Sequence, residues 1–163
     1  MTTGRISRSA WVRRLGELAG NMAAADEWGR QPARIDEAVL ELSDEIRRLG
    51  IITAVLTNGT DTIPAELAEL DITHRFDAIF NSAEIGFAKP DVRAFTHVLD
   101  TLGVAAEDAY FTDDSASKIV GAESAVCSEA LQLSTCSSSA ATPIPRMFVM
   151  RSVWSLGRNR GLP

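Results

Sequence analysis

Ile51-Ile52-Thr53-Ala54-Val55-Leu56-Thr57-Asn58-Gly59 is the stretch on which the fold turns. Residues 51–56 form an unbroken, β-favouring apolar run. A run without polar alternation predicts a strand buried on both faces, as in a parallel sheet covered by helices. Thr57-Asn58-Gly59 then reads as a strand-to-helix turn, because Asn and Gly both suit tight turns.

The pattern continues outward on both sides. Upstream, residues 36–49 read as a helix with Asp36 as N-cap, a stripe of Val39, Leu40, Leu42 and Ile46, and Gly50 as the left-handed stop. Residues 7–24 read as an earlier helix with Trp11, Val12, Leu15, Leu18, Ala19 and Met22 at helical spacing and arginines opposite. A polar connection containing Gly29 and Pro32 spans 25–34. Downstream come a short helix from Pro64 to Leu70, a strand over 76–80, an amphipathic helix over 91–102, a strand over 109–112 and a helix over 115–125. Strands alternating with helices predict a parallel sheet whose ligands gather at the carboxyl ends of the strands.

Composition fits one α/β domain. The chain has 163 residues, 45% hydrophobic and 23% charged, enough to bury a core. A net charge of −6 argues against a nucleic-acid partner. No apolar run approaches the roughly 20 residues a membrane span needs. The opening Met1-Thr2-Thr3-Gly4-Arg5 leads into a charged helix and predicts no signal peptide. Cys127 and Cys136 make neither a disulfide framework nor a zinc site, so a cytoplasmic location is expected. Residues 126–163 carry a net +3 and the rest −9, and Ser, Thr and Ala dominate 131–142. That shift marks a boundary.

Three short motifs carry chemistry. Thr57-Asn58-Gly59 can hold a phosphate oxygen through a hydroxyl and turn N–H groups. Lys89, in Lys89-Pro90, supplies a point charge. Asp113-Asp114 follows the apolar strand Ala109 to Thr112, and adjacent carboxylates there repel unless a cation joins them. Magnesium suits such a pair, with water and phosphate oxygens completing its shell. Asp114 can also cap the next helix. His74 and His97 have no partner at ligand spacing, Trp11 and Trp28 are expected to pack, and Arg13, Arg14, Arg47 and Arg48 read as solvated helix faces.

In the order Thr-Asn-Gly, Lys-Pro, Asp-Asp, residues 34–125 resemble the haloacid dehalogenase-like (HAD) hydrolase superfamily, and residues 4–36 resemble the helical cap of its subfamily I. The resemblance implies an incomplete Rossmann-like α/β parallel sheet with a helical N-terminal cap segment. It divides the chain into a partial cap (1–35), a core lacking its first strand (36–125) and an irregular tail (126–163). It implies phosphate binding by Thr57, Asn58 and Lys89, a catalytic charge-neutralising role for Lys89, and Mg2+ held by Asp113 and Asp114. The acidic pair favours phosphatase chemistry on a small phosphorylated molecule over dehalogenation. Lys118 departs from the pattern, where Asn or Asp is frequent.

The family's nucleophile motif, Asp-x-Asp after a central apolar strand, has no counterpart. Asp26 and Asp36 follow no apolar strand and Asp44 is mid-helix. The expectation is an N-terminally truncated, inactive hydrolase, with its sheet left gapped or re-paired between the strands at 51–56 and 109–112. Exposed sheet edges would then favour self-association. A shifted reading frame after about residue 125 would explain the tail and predicts that it is poorly ordered. The alternatives are a non-catalytic phosphate and magnesium binding or interaction protein, or a gene fragment without function. A receiver-like signalling domain is disfavoured, because its acids precede its Thr and Lys.

Overall fold

The structure is a computed structural model that describes residues 3–113, 115–126, 145–150 and 154–156. It opens with two helices, α1 (Arg8–Ala19) and α2 (Met22–Gly29), where one helix over 7–24 was expected. Gly20 takes the left-handed conformation (φ 64°) and ends α1, and the Asn21 side chain accepts the Ala24 N–H to start α2. The break lets the helices face each other, with the Trp11 and Trp28 ring centroids 5.0 Å apart. Leu18, on the expected inward stripe, instead points to solvent at 80% exposure.

A short strand, β1 (Ala33–Ile35), leads into α3 (Glu37–Arg48). The Asp36 side chain accepts the Val39 N–H at 3.4 Å, a helix cap as expected. Strand β2 (Ile52–Thr57) follows, then α4 (Ile63–Glu69) with Pro64 in its first turn. The chain continues through β3 (Ala78–Asn81), α5 (Ser82–Ile85), α6 (Val92–Leu102), β4 (Ala109–Phe111) and α7 (Ala116–Val126). It closes with β5 (Met147–Met150) and β6 (Trp154–Leu156).

Four parallel strands form the main sheet in the order β3-β2-β5-β4. Thr57 pairs in register with Asn81, Ile52 with Met147, and Phe111 with Val149. The place between β2 and β4 is therefore filled, by residues from the segment expected to be an irregular tail. Apolar Met147 and Val149 are 0% and 1% exposed, and the strand's backbone bonds to neighbours on both sides. From sequence, residues 149–156 are apolar enough for a strand or a short helix; two strands form there instead of one element, β5 starting two residues earlier and β6 ending at Leu156. Residues 127–144, with both cysteines, lie outside the described residues, so the expectation of a disordered tail is overturned only where β5 and β6 form. Strand β6 pairs antiparallel with β1, Ile35 opposite Trp154, and so ties the end of the chain to its beginning.

Side-chain alternation on β2 builds two cores. Ala54 and Leu56 face α6 and α7, packing with Phe95, Val98 and Met147. Val55 faces α3 and α4, packing with Leu40, Ile63 and Leu67. This is the strand buried on both faces that the apolar run predicts. Leu42, on the predicted stripe of α3, and Val92, at the start of α6, lie at their margins and are 45% and 40% exposed.

Arg47 is no solvated face residue. It donates to Asp77 Oδ1 from Nη2 at 3.1 Å and to the His74 carbonyl from Nη1 at 3.2 Å. Asp77 Oδ2 in turn accepts the Thr53 N–H at 2.8 Å, which pins α3 to the start of β2. Burial resists ionisation of Asp77, but the Thr53 N–H and the Arg47 guanidinium outweigh it and hold the carboxyl below its ordinary range. The described residues include no helix long and apolar enough to cross a membrane.

Candidate functional site

The carboxyl ends of β2, β3 and β4 converge on one side of the sheet, because the strands are parallel. Thr57 closes β2 and is 4% exposed. The next three residues turn tightly toward α4. A Cβ on Gly59 would lie 2.4 Å from Ile63 Cγ1 and 2.6 Å from Asn81 Oδ1, so only glycine fits.

Two residues that the sequence reading did not single out hold this turn. Asn81, at the end of β3 and 1% exposed, donates from Nδ2 to the Thr60 carbonyl at 2.7 Å. Its Oδ1 accepts the Ala83 N–H at 3.3 Å and caps α5. Fully buried Ser82 donates to the Gly59 carbonyl at 3.5 Å. The signal was an Asn-Ser pair closing an apolar strand, two polar residues where burial continues.

Lys89 lies beyond α5 and is 7% exposed. Its Nζ donates to Asp113 Oδ2 at 2.7 Å, with the two side chains 5% and 0% exposed. Asp113 Oδ1 accepts the Ser115 N–H at 3.0 Å, so both carboxylate oxygens are oriented. Thr112 donates its N–H to the Val149 carbonyl at 2.9 Å, which fixes the exit of β4 against β5. Asn58 meets Lys89 through the main chain: Nδ2 donates to the Lys89 carbonyl and Oδ1 accepts the Lys89 N–H, both at 2.8 Å. Asn58, Lys89 and Asp113 thus form one connected group, and Thr57 immediately precedes Asn58. Asp114 lies outside the described residues.

The N-terminal helices attach beside this group. The Arg8 N–H donates to Asp61 Oδ1 at 2.7 Å, and its guanidinium donates to the Gly29 carbonyl at 3.1 Å and reaches Glu66 at 3.6 Å. A cavity of about 450 Å³ lies there, lined by Arg8, Arg30, Gln31, Glu66 and neighbours. His74 Nδ1 is 3.6 Å from an Asp71 carboxylate oxygen, and the His97 ring sits edge-on to Phe80. Among the described residues, no group of three or more His, Cys, Asp or Glu side chains is placed to hold a metal ion.

A buried ammonium fixed by a carboxylate is a positioned, charge-assisted donor, its charge largely balanced by its partner. With a threonine hydroxyl at the end of β2, the arrangement suits a tetrahedral oxyanion.

A family model, curated relatives and solved structures resemble this chain. A model of haloacid dehalogenase-like hydrolases matches residues 7–125, well over half of the chain. A phosphatase of Mycobacterium tuberculosis is 37% identical over 84 residues, 50% of this chain and 39% of that protein. The sesquiterpene phosphatase astK of Aspergillus oryzae is 30% identical over 129 residues, 74% of this chain and 64% of its own length. The chain therefore spans less than two thirds of these relatives. Among solved structures, a HAD family enzyme of Bacteroides thetaiotaomicron in complex with magnesium and inorganic phosphate superposes with a TM-score of 0.62 at 18% identity, covering 77% of this chain and 69% of that one.

Proposed function

This chain belongs to the haloacid dehalogenase-like hydrolases, and from that premise we propose that it keeps the phosphate and magnesium pocket of a phosphatase-type member without the means to turn an ester over. The buried Lys89–Asp113 pair beside Thr57 carries the reading. A lysine and an aspartate with side chains 5% and 0% exposed are costly to bury, and a bound anion and cation give both charges a use. The substrate class is a small phosphorylated molecule. The helices α1 and α2 act as the partial cap beside it.

The donors fit magnesium. Asp113 offers hard carboxylate oxygen, and Asp114 follows it in sequence. Bound there, the cation would supply charge neutralisation for phosphate oxygens. The chain's own residues do the rest. Thr57 donates a hydroxyl, Lys89 places its charge, and the Ser115 N–H keeps Asp113 oriented.

Turnover needs a nucleophile. No Asp-x-Asp occurs anywhere in the 163 residues, and the central strand β5 is followed in sequence by Arg151-Ser152-Val153 with no acid thereafter. Calorimetry of the full chain with inorganic phosphate, with and without magnesium, should show magnesium-dependent binding that Asp113→Ala abolishes. Phosphate release from p-nitrophenyl phosphate should not exceed the buffer rate. Magnesium-dependent release that disappears in Asp114→Ala would overturn the inactivity, and an absence of phosphate binding would overturn the pocket.

A further inference from the structure

We propose that Asn58 is a positioning residue for Lys89: it clamps the lysine's main chain and so sets the anion affinity of the pocket, rather than touching the anion itself. The proposal rests on the phosphate-pocket reading above.

The Asn58 amide and the Lys89 main chain are complementary. One donor and one acceptor on each side meet in two hydrogen bonds of 2.8 Å. Lysine is a point charge on a flexible four-carbon stem that carries considerable rotamer entropy. Here it is held at both ends, its main chain by Asn58 and its ammonium by Asp113 at 2.7 Å. Asn58 directly follows Thr57, so the clamp also fixes the lysine relative to that hydroxyl. Pro90 has no N–H to add, and the Asp91 N–H donates to the Ala88 carbonyl at 2.9 Å across this corner. Without the amide, the partly buried N–H and C=O of Lys89 lose their partners. The stem is then no longer fixed at its main-chain end, and the ammonium keeps its Asp113 contact without that support.

The test is a double-mutant cycle on the full chain, with inorganic phosphate and magnesium as the probe. Asn58→Ala should weaken phosphate binding about tenfold, the worth of two ordinary hydrogen bonds. In the Lys89→Gln background, which keeps a donor toward Asp113 but removes the charge, Asn58→Ala should change affinity by less than about twofold. An equal loss in both backgrounds would mean that Asn58 binds the anion directly and would overturn the proposal. Carbon-13 NMR of the lysine ε-methylenes gives a readout that does not depend on phosphate. The Lys89 resonance, identified by its loss in Lys89→Gln, should move in Asn58→Ala and return part of the way in Asn58→Asp, which keeps the acceptor for the Lys89 N–H. If the unaltered chain binds no phosphate, the pocket reading fails, and this resonance alone decides the role of Asn58: unmoved, it overturns it. Should Asn58→Ala fail to fold, the same measurements on Asn58→Asp decide.

Discussion

Lys89 and Pro90 are gripped by side chains and backbone from three distant parts of the chain. Asn58 holds the Lys89 main chain, Asp113 its ammonium, and α7 closes on Pro90 through Gly121. A Cβ on Gly121 would lie 1.7 Å from the Pro90 carbonyl oxygen and 2.8 Å from Phe95 Cε2. Two effects oppose each other in Gly121→Ala. Helix propensity favours alanine by about 1 kcal/mol, but the overlap forces α7 off the Pro90 corner, an overpacking cost of about 1–3 kcal/mol or more. Backbone contact at such a distance decides for the overlap. The variant should be less stable by about 2 kcal/mol in urea unfolding. A gain in stability would show that α7 does not pack this closely. The positions of Thr57 and Asp113 at strand ends were legible from sequence because each follows an apolar run, whereas Lys89 stood out only through Lys89-Pro90. The clamp was not legible, since Asn58 and Lys89 are 31 residues apart and nothing local in either motif points to the other.

At the scale of elements, β5 distinguishes this molecule. It is the last strand of the main sheet in chain order and yet central in it, parallel to both neighbours. A central strand satisfies backbone groups on two sides, so its loss would expose the edges of both β2 and β4. Met147 is 0% exposed and packs against the α6 and α7 face of the core. Met147→Ala should therefore cost about 2–5 kcal/mol, the range for emptying a buried methionine site. Chemical denaturation checks this. An unchanged midpoint would mean that residues 145–150 are an appendage, as the compositional break after residue 125 suggests. Elements with long, patterned sequence, such as α3 and β2, were legible within a residue or two of their ends. The split between α1 and α2 was not read, because the apolar spacing carries straight across Gly20 and Asn21.

For the whole molecule, ion-paired aspartates at the amino end of the sheet and at the start of α6 set how it responds to acid. The Arg75 hydrogen bond, against some burial, holds the Asp44 carboxyl below its ordinary range. The Thr53 N–H and Arg47 do the same for Asp77 in spite of its burial. Hydrogen bonds from Arg93 bring half-buried Asp91 to about 2. A carboxyl whose pKa is depressed by folding stabilises the fold above its unfolded value and loses that contribution as pH falls through the folded value. The window therefore opens below about pH 4, the unfolded aspartate value. These pairs are partly exposed, so each contribution is small and screened by salt. The urea midpoint should stay level above that window and fall below it, and Asp77→Asn should flatten part of the fall. An identical acid profile in the variant would remove Asp77 from this role.

The sequence by itself determined the α/β class, the strand at the heart of the sheet and the family, because continuous apolar runs and strand-end motifs are local patterns with local causes. Only the tertiary structure decided which segment fills the centre of the sheet, and that Asn58 holds Lys89 while Asn81 and Ser82 hold the turn beside them. Those pairings join residues far apart along the chain. Burial and hydrogen-bond satisfaction select them only once the strands lie side by side.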